Sequence, residues 1–281
     1  MESTGERFIP DSKGIIELEH LNRYYFVVNQ IDLKDKVVLD IASGEGYGSN
    51  ILSKFAHKVI GVDISNEAIA HAKKKYEGAN LNYIQGNAVE IPLEDESIDV
   101  VVSFETIEHH DKHIEMIKEI KRVLKKDGIL IISSPDKKYY SDLPKYKNEF
   151  HVKELYYDEF RLLIKSNFDK IYFFSQRTFG GSIIALDEAY KSYNKPLVVE
   201  QSGENHSFLP LYNIAIATNN SKYEISEQLV FYTENNQAIT QQDIDSAIYF
   251  TKINLQKTKT YRLGKFILGP LRNIRKFFSK K

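Results

Sequence analysis

Three groups of residues have types and spacings that can support chemistry. The first is VVLDIASGEGYGSN, Val37 to Asn50, where Gly44, Gly46 and Gly48 alternate and Asp40 stands just ahead of them. Glycines between a strand and a helix permit positive φ and close backbone approach, and they present N–H groups to a ligand. Asp63 follows Gly44 by 19 residues, and a carboxylate so placed accepts hydrogen bonds from both ribose hydroxyls of an adenosine. The second group is SFETIEHH, Ser103 to His110, joined later in the chain by Phe150-His151-Val152. Its carboxylates and imidazoles suit proton transfer. The third is the C-terminus, with seven Lys/Arg and no acid from Tyr261 to Lys281.

Several chemistries are disfavoured at once. A dinucleotide turn requires G-x-G-x-x-G, but Ser49 occupies the third glycine position; a phosphate loop ends in Gly-Lys-Ser/Thr, which is absent. With no cysteine, disulfides, thiolate metal sites and cysteine nucleophiles are excluded. A net charge of −1 argues against a dedicated nucleic-acid binder. His109 and His113 are spaced i, i+4 with Glu108 and Asp111 nearby, which would allow a metal site. The expectation is a solvated helix start and no metal.

These residues need a scaffold to position them. Lys36–Ala42, Lys58–Asp63, Asn80–Gln85, Ile98–Phe104 and Gly128–Ser133 are short Val/Ile-rich runs that read as strands. Between them lie helical segments beginning near Ser49, after Ser65 as N-cap, and over Ile114–Leu124, which Asp127-Gly128 ends. Strands apolar on both faces and separated by helices predict a parallel α/β sheet covered on both sides. After Pro135 comes a Tyr/Lys-rich loop, then a helix near Tyr157–Asn167 and strands Lys170–Ser175 and Leu211–Thr218 that could pair antiparallel.

The ordered series DIASGEGYG, GVDIS, Gln85-Gly86-Asn87-Ala88, IDVVVSFE and VLKKDGILI resembles the motifs of class I S-adenosylmethionine-dependent methyltransferases. The resemblance covers about Gly5 to Thr218. It implies a Rossmann-like doubly wound sheet with an antiparallel last strand pair, and S-adenosylmethionine as cofactor. The implied cofactor residues are Asp40, Ala42, Gly44, Gly46, Asp63, Ile64, Asn87, Ala88 and Glu105. Asn87 stands where the family usually has an aspartate reading the adenine, so its amide oxygen would accept without a charge-assisted bond. Glu105 would lie beside the methionine portion. The N-terminal segment resembles the lid of methyltransferases associated with bacterial glycan assembly, with Arg23 and Tyr24 as candidates to face the cofactor carboxylate.

A hydroxyl acceptor needs a base beyond the C-terminal strand ends. His109, His151 and Glu108 are the catalytic candidates, although local helix-start bonding would also explain His109, and capping His151. The nucleic-acid amino-methyltransferase motif, Asn/Asp-Pro-Pro-aromatic, is replaced by Ser103-Phe104-Glu105-Thr106. The expected acceptor is a sugar hydroxyl of a bacterial surface polysaccharide or its precursor. Alternatives are a lipid, quinone or amine, or a non-catalytic cofactor-binding subunit of a glycan-assembly complex.

The expected organisation is an N-terminal lid/helical segment over 1–35, a methyltransferase domain over 36–220 with a substrate insertion at about 180–210, and an appendage over 221–281. A polar start without an apolar h-region gives the expectation of a cytoplasmic protein. Within 261–281, Leu263, Ile267, Leu271, Ile274 and Phe278 share one helical face, interrupted by Pro270. Such a basic amphipathic tail suits the inner membrane surface, a partner, or docking on its own domain. In liposome co-sedimentation with anionic vesicles, the full chain should partition more strongly than a chain ending at Thr260; equal partitioning removes the membrane reading.

Overall fold

The computed structural model describes residues 15–178, 182–187, 198–201, 204–207, 210–226 and 229–232. Helix α1 (Ile15–Gln30) leads into β1 (Val37–Ile41), α2 (Tyr47–Ser53), β2 (Lys58–Asp63), α3 (Asn66–Lys75) and β3 (Leu81–Gln85). Then follow β4 (Ile98–Ser103), a 3-10 turn Ile107–His109, α4 (His113–Val123), β5 (Leu124–Pro135), a π-helical turn Lys138–Asp142 and α5 (Tyr157–Lys165). Strands β6 (Lys170–Thr178), β7 (Ser182–Leu186), β10 (Tyr212–Thr218) and β11 (Leu229–Tyr232) complete the main sheet.

The strand order is β11-β7-β6-β10-β5-β4-β1-β2-β3. Strands β1 to β5 pair in parallel, while β10 lies antiparallel between β5 and β6. This is the doubly wound sheet with an antiparallel final pair that the sequence predicts. Two strands of this sheet lie outside the predicted set. The stretch read as an insertion contributes β7, and the stretch read as an appendage contributes β11; they pair with each other and extend the sheet past β6.

The core alternates along each strand, because successive side chains leave opposite faces. Val38, Val100, Val102, Ile131, Ile214 and Ile216 face one layer with Phe26, Val27, Leu52 and Ile69. Leu39, Val101, Leu130, Ile132 and Ala215 face the other, under Met116, Ile117 and Ile120 of α4 and Phe160 and Ile164 of α5. Helix α4 ends at Val123, before the predicted Asp127-Gly128 stop, since Leu124 already has extended backbone and pairs with Ile98.

A second compact unit comprises Tyr190–Phe208 and Asn235–Lys281. Its described residues are the antiparallel pair β8 (Val198–Gln201) and β9 (Glu204–Ser207). The proposed basic tail 261–281 lies outside the described residues. No helix among the described residues is long and apolar enough to cross a membrane.

The three alternating glycines serve different needs. Gly44 and Gly46 have φ of +56° and +92°, a region that penalises any Cβ. Gly48 is helical, and a Cβ there would fall 1.9 Å from Cζ of Tyr24. Gly48→Ala should therefore destabilise the protein by about 1–3 kcal/mol through overpacking, measured by urea denaturation. Gly48→Ala combined with Tyr24→Ala should recover part of that loss.

Candidate active site

In an open parallel sheet, ligands bind where the strand order reverses. Here the reversal falls between β1 and β4. A cavity of about 670 Å³ opens at their C-terminal ends, within the usual range for small-molecule sites. Two non-glycine residues, Ala42 after β1 (φ +58°) and Glu105 after β4 (φ +47°), hold left-handed backbone there. Such conformations cost of order 1–3 kcal/mol each and gather at functional sites.

One wall consists of Ala42, Ser43, Gly44, Asp63, Ile64, Asn87 and Ala88. Asp63 accepts from Gly44 N–H and from Ser65 N–H, both at 2.9 Å, so its carboxylate is locked across the turn. The turn is also pinned from below: buried Glu45 takes hydrogen bonds from Lys75 and the Tyr76 hydroxyl. A Cβ built on Gly44 meets nothing within 4 Å, so the backbone there faces open space for a ligand. Asn87 Oδ1 accepts from Val89 N–H at 3.1 Å. The oxygen expected to read an adenine is thus already committed to its own turn, with only its second lone pair to offer.

Beneath this wall lies a buried polar layer. Asp40 is fully buried and accepts from Ser49 Oγ at 2.6 Å and from the Tyr24 hydroxyl at 3.2 Å. Burial pushes its carboxyl up to about 7, against the lowering effect of those two hydroxyls. Arg23 is also fully buried. Its Nε donates to Gln176 at 2.7 Å, its Nη1 lies 3.6 Å from Glu105, and its guanidinium sits over the Tyr212 ring. Glu105 accepts from Ser133 Oγ at 2.6 Å. His20 bonds the Tyr47 hydroxyl; burial and the nearby Arg23 depress its pKa to about 3.

The opposite wall carries His109, His151, Tyr140, Tyr146 and Asn148. Glu108 O accepts from Val152 N–H and Lys153 N–H at 2.9 and 3.0 Å, which ties the turn after β4 to the loop before α5. That tie sets the His109 and His151 rings edge to face, 5.2 Å apart. His151 Nδ1 bonds Glu154 Oε1 at 2.6 Å, and Glu154 also accepts from Ser141 Oγ. Asn148 Oδ1 accepts from Phe150 N–H, which orients its amide to donate to His151 Nε2 at 3.0 Å. The neutral ring is then protonated at Nδ1 and carries its lone pair on Nε2. His109 makes the matching bond from Nδ1 to Phe150 O at 3.1 Å. Glu108 is fully buried, and burial with the neighbouring Glu105 raises its pKa well above the usual range.

The cavity wall therefore contains Tyr24, Ala42, Gly44, Asp63, Ile64, Asn87, Ala88, Glu105, His109 and His151 of the expected residues. Arg23, Asp40, Gly46 and Glu108 stand behind it. Arg23 meets Glu105 and Tyr212, and Tyr24 bonds Asp40; neither terminal nitrogen of Arg23 has a hydrogen-bond partner. His113 does not join His109: its Nε2 bonds His110 O at 2.8 Å. The sequence places Ser133-Ser134-Pro135-Asp136 beyond the strand ends, and Ser133 is found there bonded to Glu105; it missed Glu154 and Tyr212. The H-x-x-E spacing of His151 and Glu154 was a signal for the first; nothing local signals the second.

The sheet order and the glycine–aspartate wall define a class I methyltransferase fold. Residues 39–132 match the family described as "Methyltransferase domain", and this match together with the relatives below implies S-adenosylmethionine as the cofactor. A probable S-adenosylmethionine-dependent methyltransferase of Mycobacterium tuberculosis is 37% identical over 171 residues, 59% of this chain and 60% of that protein. The chain thus spans about 60% of that relative's length. The phthiotriol/phenolphthiotriol dimycocerosates methyltransferase of the same species is 32% identical over 111 residues, 39% of this chain and 41% of that protein. Among solved structures, the YcgJ protein from Bacillus subtilis shares the fold at TM-score 0.52, 20% identity, over 77% of this chain and 100% of its own. A SAM-dependent methyltransferase from Archaeoglobus fulgidus does so at TM-score 0.55, 18% identity, over 74% and 96%.

Asp40 makes stability depend on pH with a defined sign. Its folded pKa, about 7, exceeds the ordinary 3.8, so between those values the folded state holds a proton that the unfolded state has lost. Stability contributed by Asp40 falls as pH rises through this window. Asp40→Asn should remove that slope, shifting the stability difference between variant and wild type by on the order of 2 kcal/mol in the variant's favour from pH 5 to pH 7. Urea unfolding at both pH values, without cofactor, reads this directly.

Proposed function

We propose that the chain is an S-adenosylmethionine-dependent methyltransferase that methylates a hydroxyl of a sugar, in a bacterial surface glycan or its precursor. The observation that carries this reading is the single cavity that joins the Gly44/Asp63/Asn87 wall to the His109/His151/Tyr140/Asn148 wall. When bound, S-adenosylmethionine supplies an electrophilic sulfonium methyl, whose transfer forms an O–CH3 bond, breaks the S–CH3 bond and leaves a neutral thioether.

The protein's part is positioning and proton handling. Gly44 keeps the first wall open to a ligand, and Asp63 offers its carboxylate to ribose hydroxyls. On the acceptor side, His151 Nε2 takes the hydroxyl proton, exchanging its contact with Asn148 for one with the acceptor. Glu154 holds Nδ1–H and stabilises the imidazolium that results. Tyr140, stacked on His151, and Tyr146 present ring faces and hydroxyls of the kind that bind sugars. Holding donor and acceptor in line supplies the rest of the acceleration.

A lipid acceptor is the second reading. It is favoured by the similarity to the phthiotriol/phenolphthiotriol dimycocerosates methyltransferase, whose name describes a lipid-modifying enzyme. The polar, aromatic character of the second wall favours a sugar. We further propose a cytoplasmic site of action, with no nucleic-acid partner.

Calorimetry should show S-adenosylmethionine binding that Asp63→Ala weakens at least tenfold. On an accepting glycan, His151→Ala should lower kcat by about 10²–10⁴-fold while cofactor affinity changes little. Undiminished turnover in both His109→Ala and His151→Ala would remove the histidines from the reaction.

A further inference from the structure

We propose that Glu108, His109 and His151 form a binding site for one divalent transition-metal cation on the acceptor side of the cavity. One ligand atom from each of the three residues lies within 4.8 Å of the others. They come from two segments separated by more than forty positions, and the hydrogen bonds from Val152 and Lys153 to Glu108 O bring those segments together.

Two independent features point to a cation. Glu108 has no exposed surface, and neither of its carboxylate oxygens has a hydrogen-bond partner. A buried carboxylate without a partner is costly, and a cation among these three groups is the partner it lacks. The second feature is the outer hydrogen bonding of the imidazoles. Metal-bound histidines characteristically donate their other N–H to a carboxylate or a backbone carbonyl. His151 Nδ1 bonds the Glu154 carboxylate and His109 Nδ1 bonds the Phe150 carbonyl. Both rings thereby carry their lone pairs on Nε2. For His151 to bind the ion, the Asn148 amide must turn away from Nε2.

Two imidazoles and one carboxylate suit Zn²⁺, Fe²⁺, Mn²⁺ or Co²⁺, and they leave coordination positions open. The neighbouring carboxylates belong elsewhere: Glu105 is held by Ser133 and Arg23. His113 is turned to His110 O. A hydroxyl entering an open position would be acidified by the ion, lose its proton to cavity water and present a bound alkoxide. In that state His109 and His151 act as ligands and the ion replaces His151 as the means of activation. This role rests on the methyl-transfer reading; the ion site itself does not.

The test uses the full chain, stripped with a chelator and titrated separately with Co²⁺ and Zn²⁺ by calorimetry, with the visible absorption of Co²⁺ as a second readout. Wild type should bind one equivalent. Glu108→Gln and His151→Ala should each weaken binding at least tenfold, Glu154→Gln about 10–100-fold, and His57→Ala, at an exposed histidine, less than about twofold. S-adenosylmethionine titrations of the same preparations report folding and test the methyl-transfer reading separately. Absence of one-equivalent binding in wild type, or equal affinity in folded Glu108→Gln and His151→Ala, overturns the cation site. Cation binding without cofactor binding would leave this site standing and remove the methyl-transfer reading.

Discussion

The reversal of strand order between β1 and β4 creates the crevice on which the candidate site depends. From β1 the chain moves outward one way to β2 and β3; from β4 it moves the other way to β5. The connections leaving the adjacent ends of β1 and β4 must diverge, and the space between them cannot be filled by either. Ala42 and Glu105, the residues that turn the chain away at those two ends, both have left-handed backbone. The sheet's packing on both faces holds them in that conformation, and their side chains and amides are thereby aimed at the crevice.

Beneath the crevice the fold buries more acid than base. Glu19, Glu105 and Glu108 lie around the buried Arg23, and Asp40 is held apart by Ser49 and Tyr24. Burial raises Glu19, Asp40 and Glu108 toward their neutral forms, since an isolated anion cannot remain charged away from water. Helix α1 closes this layer from one side through the bonds of Glu19, Asn22 and Arg23 to Gln176, Ser182 and Tyr212. The segment read as a lid is thus also part of the core.

Much of this was legible in the chain because the signals are local. Alternating Val and Ile runs predict buried strands wherever they occur, and Gly44 and Gly46 are required by the φ values of one tight turn. Asp63 is legible from its spacing to that turn. The failures are equally local in cause. Gly48 looks like part of the turn, yet its role is to make room for a tyrosine from another helix. His113 looks like the partner of His109 at i, i+4, but the 3-10 turn and the break at His110 before α4 rotate it away. Strands β7 (SIIAL) and β11 (LVFY) are placed by long-range pairing with β6 and with each other, which short apolar runs do not announce.

Sequence by itself determined the layered α/β sheet, the glycine turn and the acid that follows it, because periodicity, backbone sterics and short spacing are properties of neighbouring residues. The candidates Glu108, His109 and His151 were also legible in the sequence, but their meeting across the cavity was decided only by tertiary structure. Glu108, His109, His151 and Glu154 meet because two backbone N–H groups of one loop bond a single carbonyl of another turn. The physical reason is that closing so long a loop depends on contacts summed over the whole sheet, and no short stretch encodes that sum.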